Sequence, residues 1–264
     1  SEHCAHKTFR ANITTESGAS RPSLINQLRA STDKINAPYV VSSFVGNAGI
    51  ISFTPGRTLA VKCETHNHPS AIEPFGGASF NPSGAVVQEI AEHGIDDIEI
   101  VTAVLPVEFK RSSKILIDLI TTHQPSVVIS LGQAEGRDFI GPEQVAINLA
   151  NARIADNVGV KLENQRINTG AADGYFSTLP IRAIVDAISA IGISSKISYS
   201  AGTFICNEIF FTAQSFLQGS DVISGFIHLP LAPNQAAEFP GLPTMPLAEQ
   251  VAAIRVAIQV SVDV

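Results

Sequence analysis

From Gly77 onwards the chain alternates between segments with helical periodicity and short segments typical of strands. Regular alternation of this kind is typical of α/β proteins, in which helices cover both faces of a mainly parallel sheet. The sequence therefore predicts an α/β fold, a three-layer domain with a mainly parallel mixed sheet. Such sheets place their chemistry at the carboxyl ends of the strands. Helices are predicted at residues 81–93, 111–123, 178–191 and 203–217 and from Pro246 onwards, and strands at residues 98–105, 126–131, 196–200 and 222–229.

The first part of the chain has a different pattern of predicted helices and strands. A helical stretch at residues 22–34 precedes three short β-type runs at residues 39–44, 49–53 and 58–64. This pattern predicts a partial α+β fragment in front of the α/β domain. We expect two units, residues 1–72 and 73–264.

Composition limits the classes of partner that the chain is expected to bind. The 264 residues carry a net charge of −7, which disfavours nucleic acids and anionic membranes because both need clustered Lys and Arg. No signal peptide or bilayer-length apolar run is evident. The three cysteines, Cys4, Cys63 and Cys206, are odd in number and far apart, which favours a reducing cytoplasm over a disulfide scaffold. Because the chain begins at Ser1 without Met, we expect a fragment or a processed product.

Cys206 and His228 are the residues with the clearest chemical potential. With Thr203 as cap, Cys206 would lie in the first turn of a helix, where the dipole and free N–H groups stabilise a thiolate. His228 ends a predicted strand, within reach of a neighbouring helix start. Each residue also has a structural alternative, since a free cysteine usually fills space in the core and a histidine can be hydrogen-bonded there. A carboxylate to orient the imidazole could be any of several, among them Glu143, Asp156 and Asp173.

Residues 73–260 also resemble the pyroglutamyl peptidase I family, whose members are also called pyrrolidone carboxyl peptidases. The matching stretches follow the family's order and approximate spacing. They are Glu73-Pro-Phe-Gly-Gly77, Asn81-Pro-Ser83, Gly132-Gln-Ala134 with Gly136-Arg137, Glu143-Gln-Val-Ala-Ile-Asn148, Ala152-Arg-Ile154 with Asp156-Asn157, Tyr175-Phe-Ser-Thr-Leu-Pro-Ile181, Ala201-Gly-Thr-Phe-Ile-Cys-Asn207 and Gly225-Phe-Ile-His228.

The resemblance implies a role for particular residues. It makes Cys206 the nucleophile, His228 the general base and Glu143 the carboxylate that orients the imidazole. Arg153 matches an arginine near the oxyanion. The remaining matches belong to the pocket for the pyrrolidone ring and are Phe75, Gln133 and Asn81.

Two departures from that family stand out. Ile72 replaces an aromatic residue of the pocket, and polar residues with Pro69 replace the expected first strand, so that either residues 58–64 supply this strand or the sheet lacks one. In addition, Glu135 stands where the family usually has glycine.

The N-terminal motifs Ser1-Glu-His-Cys4 and Lys62-Cys-Glu-Thr-His-Asn-His68, the latter continuing to Ala78, resemble the start of phosphoribosylformylglycinamidine synthase, an ATP-dependent ligase of purine biosynthesis. The resemblance places residues matching His3, Lys62, Glu64 and His66 at that family's nucleotide and metal site. The later nucleotide-binding parts are missing from this chain. A join at Glu73–Gly77 indicates recombination, an engineered chimera or an assembly error.

The predicted function is hydrolysis of the bond after an N-terminal pyroglutamyl residue, in peptides or proteins, by a Cys-His-Glu cysteine peptidase. The alternatives are an inactive synthase fragment and a non-catalytic chimera whose pocket lacks its first wall. We expect no cofactor and no metal, although His3, Cys4, His6, Glu64, His66 and His68 are residue types that bind zinc. The resemblance is compatible with a homo-oligomer.

Overall fold

The computed structural model describes residues 80–264 and, before them, the backbone of several short strands. These strands are β1 (Ile13–Thr14), β2 (Ser20–Arg21), β3 (Val40–Ser42), β4 (Ile50–Ile51) and β5 (Leu59–Cys63). The three β-type runs predicted in this region thus each contain a strand. The predicted helix at residues 22–34, the candidate zinc ligands and Phe75 lie outside the described residues.

The described helices and strands after residue 80 follow the predicted alternation. They are α1 (Pro82–His93), β6 (Val101–Leu105), α2 (Arg111–His123), β7 (Val127–Gln133), β8 (Gly141–Pro142), β9 (Val145–Ile147), β10 (Gly174–Phe176), α3 (Ile181–Ala190), α4 (Ile205–Phe216), β11 (Ile223–Leu229) and α5 (Leu247–Val262).

The central sheet has the order β6-β5-β7-β11-β8. Neighbouring strands are parallel except for the last pair, in which β8 runs antiparallel to β11. The sheet is therefore mixed and mainly parallel, as predicted. Strand β5 lies between β6 and β7, so the run at residues 58–64 supplies the strand that the sequence left open.

Two hydrophobic clusters pack on opposite faces of this sheet. One contains apolar side chains of α2 and α4, and the other contains those of α1, α3 and α5. Strand β7 divides its side chains between them, because Val128 belongs to the first cluster and Val127 and Ile129 to the second. Alternation along a strand that is buried on both faces produces this pattern. The result is the predicted three-layer α/β architecture.

The structure corrects two local predictions. Residues 196–200 form no strand of their own, and Ser195 and Ser198 make isolated bridges to Ile140 and Glu143 instead. Thr203 does not cap α4: its hydroxyl donates to Asn151 O at 2.7 Å, and Phe204 occupies the cap position. Among the described residues, none of the helices is both long and apolar enough to cross a lipid bilayer.

Candidate active site

The carboxyl edge of β7 and β11 brings the two main candidate residues together. The strands are parallel, and His228 on β11 pairs in register with Gly132 on β7. A Cβ atom added at Gly132 would lie 3.0 Å from Cys206 Sγ and 2.8 Å from the Phe226 ring. The missing side chain at Gly132 therefore lets the thiol lie against the sheet edge beside the imidazole.

Cys206 is buried in the first turn of α4, as the sequence predicted. The next residue, Asn207, fixes this turn in place. Its Oδ1 accepts from Ile147 N at 3.0 Å, and its Nδ2 donates to Ile147 O at 2.8 Å and Leu149 O at 3.0 Å. The start of the helix carries a partial positive charge and N–H groups without intrahelical partners. Both favour the thiolate form of a cysteine at this position.

His228 joins the thiol to a buried carboxylate. Its Nδ1 lies 2.7 Å from Glu143 Oε1, and its side chain is also hydrogen-bonded to Cys206. Because Nδ1 is engaged by Glu143, Nε2 is the ring nitrogen left to exchange a proton with the thiol. Strand β8 and the residues after it bring Glu143 to this point, since Gly141 pairs with His228 and Glu143 N donates to Phe226 O at 2.8 Å.

The electrostatics of the pair favour an ionised site. Burial lowers the pKa of His228, but the hydrogen bonds and charges of Cys206 and Glu143 outweigh it and raise that pKa to about 9. For Glu143 burial acts to raise the pKa, yet the hydrogen bond and charge of His228, with contributions from Ser198 and Arg137, lower it below the usual 4.5. An imidazolium beside a carboxylate is the form that these interactions stabilise.

The other two carboxylates left open by the sequence are engaged elsewhere. Asp156 accepts backbone N–H groups from Phe109, Val158 and Val160 at 2.7–3.1 Å. Asp173 is an exposed residue that pairs with Arg166 at 2.8 Å. Of the three, Glu143 alone is hydrogen-bonded to His228.

Arg137 is a part of the site that sequence reasoning did not single out. Its Nη1 donates to Glu143 Oε1 at 2.9 Å, and its Nη2 donates to Ser200 O at 3.2 Å. The guanidinium also lies 5.8 Å from the centre of the Phe139 ring. A Cβ atom at Gly141 would lie 2.7 Å from Nη1, so this glycine makes room for the arginine. Its position in the Gly136-Arg137 match was the available signal.

Asn81 and Gln133 belong to two segments that the buried side-chain amide of Gln235 links. Asn81 caps α1, and its Oδ1 accepts from Ser83 N at 3.0 Å and from Ser83 Oγ at 2.6 Å. Gln133, the last residue of β7, accepts from Gln235 Nε2 at 2.9 Å, and the same nitrogen donates to Phe80 O.

Of the predicted site residues that the structure describes, Arg153 is the most exposed. Its side chain is 83% exposed, and its Nη2 pairs with Glu135 Oε1 at 3.3 Å. The segment leading to it is tied to the cysteine helix, because Asn151 N donates to Thr203 O at 2.9 Å. Glu135, the residue that departs from the resembled pattern, thus engages the arginine assigned to the oxyanion.

Within the part of the chain that the structure describes, His, Cys, Asp and Glu form no group of three or more that could hold a metal ion. The groups that meet at this edge of the sheet are a thiol, an imidazole and a carboxylate. Their arrangement is suited to nucleophilic catalysis, in which a base activates the nucleophile and a third group orients the base.

Comparisons with known proteins show which family the chain resembles. The family described as pyroglutamyl peptidase, peptidase family C15, matches residues 70–264. The chain belongs to the pyroglutamyl peptidase family. The pyrrolidone-carboxylate peptidase of Vibrio vulnificus strain YJ016 is 43% identical over 168 residues, which are 64% of this chain and 79% of the relative. That of Aliivibrio fischeri strain MJ11 is 39% identical over 194 residues, 74% of this chain and 91% of the relative.

A solved pyroglutamyl peptidase has the same fold. The crystal structure of pyroglutamyl peptidase I from Bacillus amyloliquefaciens matches with a TM-score of 0.72 at 32% identity, covering 79% of this chain and 98% of that one. The α/β fold predicted from the alternation of helices and strands is confirmed. The resemblance of residues 1–78 to the purine-synthesis ligase stays a prediction, as does the division into two units at residue 72.

Proposed function

We propose that this chain is a cysteine peptidase that removes an N-terminal pyroglutamyl residue from peptides or proteins, with Cys206 as nucleophile. The observation that carries the proposal is the buried chain of contacts from Cys206 through His228 to Glu143, with 2.7 Å between Nδ1 and Oε1 in its second link. Membership of the pyroglutamyl peptidase family supports the reaction type.

In the first half of the reaction, the thiolate of Cys206 attacks the carbonyl carbon between pyroglutamate and the next residue. The carbonyl oxygen becomes an oxyanion. Backbone N–H groups at the start of α4 can donate to it, and Arg153 is the charged group assigned to the same position. His228 then gives its Nε2 proton to the leaving amine, the C–N bond breaks, and a thioester remains on Cys206.

In the second half, His228 accepts a proton from water as the water oxygen attacks the thioester carbon. The C–S bond breaks, free pyroglutamate leaves, and the thiolate–imidazolium pair is restored. Glu143 holds Nδ1 throughout, which fixes the ring orientation and stabilises the imidazolium. Arg137 shares Oε1 of the same carboxylate and keeps it ionised.

Selection for pyroglutamate follows from the chemistry of the lactam. The ring is neutral and has one N–H donor and one C=O acceptor. Asn81 and Gln133 are the described polar residues assigned to these groups, and Phe75 is assigned to the face of the ring. An ordinary peptide brings a charged amino terminus, whose desolvation without a partner would be costly.

The test is hydrolysis of a pyroglutamyl coumarin amide by the full chain under reducing conditions. We expect turnover by the parent and by Cys4→Ser, a matched control for cysteine removal. Cys206→Ala should lose roughly a thousandfold or more in kcat/KM. A prolyl coumarin amide, which has the ring but not the lactam carbonyl, should be a poor substrate. Absence of turnover by the folded, reduced parent would contradict the proposal and favour a non-catalytic chimera.

A further inference from the structure

Gln235 is a buried amide that lies outside the catalytic set and reaches towards the candidate substrate pocket. It ends a short 3-10 turn, Pro233–Gln235, shortly after the strand that carries His228. Its side chain has no solvent exposure. A polar side chain buried to this extent must find hydrogen-bond partners within the protein.

The partners of Gln235 fix the orientation of its amide. Its Oε1 accepts from Ala232 N at 2.9 Å, and its Nε2 donates to Phe80 O at 2.8 Å and to Gln133 Oε1 at 2.9 Å. A backbone N–H can only donate and a backbone carbonyl can only accept, so these contacts leave no freedom to exchange O and N. Both N–H donors of the amide are used, and neither remains for another ligand.

These hydrogen bonds join three distant parts of the chain. Phe80 directly precedes Asn81, the cap of α1, and Gln133 directly follows Gly132, the residue packed against the Cys206 thiol. Ala232 belongs to the segment that leaves β11 beyond His228. Gln235 is thus the shared partner of the two described segments that the proposed function assigns to the lactam.

We propose that Gln235 is a positioning residue for lactam recognition, setting the distance and orientation between Asn81 and Gln133. The inference rests on the proposed function. A five-membered lactam presents its N–H and C=O at fixed positions on a small ring, so the groups that meet them must be fixed too. Without Gln235, the Phe80 carbonyl and the Gln133 side chain each lose a partner and can move independently.

Two substitutions test the proposal by different routes. Gln235→Met removes the hydrogen bonds and keeps most of the volume. Gln235→Glu keeps the acceptor for Ala232 but places a carboxylate oxygen against two other acceptors, the Phe80 carbonyl and Gln133 Oε1. With the pyroglutamyl coumarin amide, both variants should raise KM roughly tenfold or more, because buried groups lose their partners, and kcat should change much less.

Gln250→Met is the matched control. Gln250 is also fully buried and donates to a backbone carbonyl, that of Met245 at 2.8 Å, but it lies on α5. It should lower stability without changing KM. A general loosening of the fold would affect both amide sites alike, whereas a positioning role affects KM at Gln235 only. Circular dichroism shows whether each variant is folded, and the rate of Cys206 alkylation by iodoacetamide shows whether the catalytic pair is intact.

A binding measurement distinguishes failure of this inference from failure of the proposed function. Pyroglutamamide binding to Cys206→Ala is measured by calorimetry, with and without Gln235→Met, so that no turnover is needed. We expect the second substitution to weaken binding roughly tenfold. Equal binding by both proteins, or a fall in kcat at constant KM, would overturn the role of Gln235. Binding without turnover by the parent would instead contradict the proposed catalysis. The comparison of binding with and without Gln235→Met would still test the role of Gln235.

Discussion

At the scale of single residues, the site depends on how one carboxylate oxygen is shared. Glu143 Oε1 receives His228 Nδ1 at 2.7 Å and Arg137 Nη1 at 2.9 Å, and the Glu143 side chain is fully buried. Charge-assisted hydrogen bonds of this kind are stronger than neutral ones. Removal of Arg137 therefore affects the ionisation and the position of Glu143, and through Glu143 those of His228.

Arg137→Met should lower kcat for the pyroglutamyl substrate roughly ten- to a hundredfold, because Glu143 loses a charge-assisted hydrogen bond. Arg137→Lys keeps the charge but not the forked geometry, so its loss should be smaller. Steady-state kinetics measure the effect. The matched control is Arg111→Met, which removes an exposed arginine paired with Glu108 at 2.8 Å and should leave kcat unchanged. Equal kcat in Arg137→Met and the parent would exclude a role for Arg137.

His228 should titrate near pH 9 in the intact protein, measured by NMR of labelled histidine. Cys206→Ala should lower this pKa because it removes a hydrogen bond to the ring and an opposite charge, and Glu143→Gln should lower it because it removes an opposite charge while keeping an acceptor for Nδ1. His123, whose pKa is lowered by burial, should not respond to either substitution. A His228 signal that titrates at or below the ordinary 6.5 would contradict the ionised pair.

The same shifts set the sign of the pH dependence of stability. The folded pKa of His228 lies above 6.5, so its contribution is complete below pH 6.5 and is lost as pH rises through about 9. The folded pKa of Glu143 lies below 4.5, so its contribution is present above pH 4.5 and is lost as pH falls. The pair therefore stabilises the fold most fully between about pH 4.5 and 6.5.

At the scale of elements, α4 carries a buried acid, Glu208, in the turn that holds Cys206. Glu208 Oε1 accepts from Lys110 N at 2.8 Å, next to the start of α2. Burial raises the pKa of Glu208 to about 7, although the hydrogen bond from Lys110 opposes it and nearby Asp156 adds to it. The junction of α2 and α4 therefore contains a group that titrates in the neutral range.

Glu208→Gln should remove part of the pH dependence of unfolding. Because the folded pKa of Glu208 is raised, its stabilising contribution is complete below pH 4.5 and is lost as pH rises through about 7. Glutamine keeps the acceptor for Lys110 N but cannot ionise. Urea unfolding between pH 4.5 and 8 should show a smaller fall in the free energy of unfolding for Glu208→Gln than for the parent. Parallel curves for the two proteins would rule out this contribution.

The larger elements were predictable and the short ones were not. The helix at Arg111–His123 has the bounds that the sequence predicted, because its apolar periodicity is clear over three turns. Strands β8, β9 and β10 are two or three residues long and have too few positions to show a period. The predicted cap of α4 was wrong because the Thr203 hydroxyl donates to the backbone of Asn151 instead.

At the scale of the whole molecule, the central sheet includes a strand from the N-terminal part of the chain. Strand β5 (Leu59–Cys63) pairs in parallel with both β6 and β7. Long-range pairing of this kind cannot be read from local pattern, which is why the sequence left two alternatives open. The contacts of Arg137 and Gln235 were missed for the same reason, since each depends on segments that only the fold brings together.

Val61→Pro should destabilise the whole domain if β5 is a central strand. Proline removes a backbone donor that the sheet uses, and it leaves a carbonyl of a neighbouring strand without its partner, at a cost of about 1–3 kcal/mol. Val61→Ala, which keeps the N–H, is the control at the same position. Chemical unfolding followed by circular dichroism measures the difference. Equal stability of the proline and alanine variants would place residue 61 outside the sheet.

The proposed mechanism requires that Cys206 forms a covalent bond with the pyroglutamyl group during turnover. The most direct test is acid quenching of the full chain during turnover of a pyroglutamyl coumarin amide, followed by mass spectrometry of its peptides. We predict that the peptide containing Cys206 gains the mass of one pyroglutamyl group as a thioester. Peptides containing Cys4 or Cys63 should not gain this mass. Turnover with no adduct on Cys206, or with undiminished rate in Cys206→Ala, would rule out Cys206 as the nucleophile.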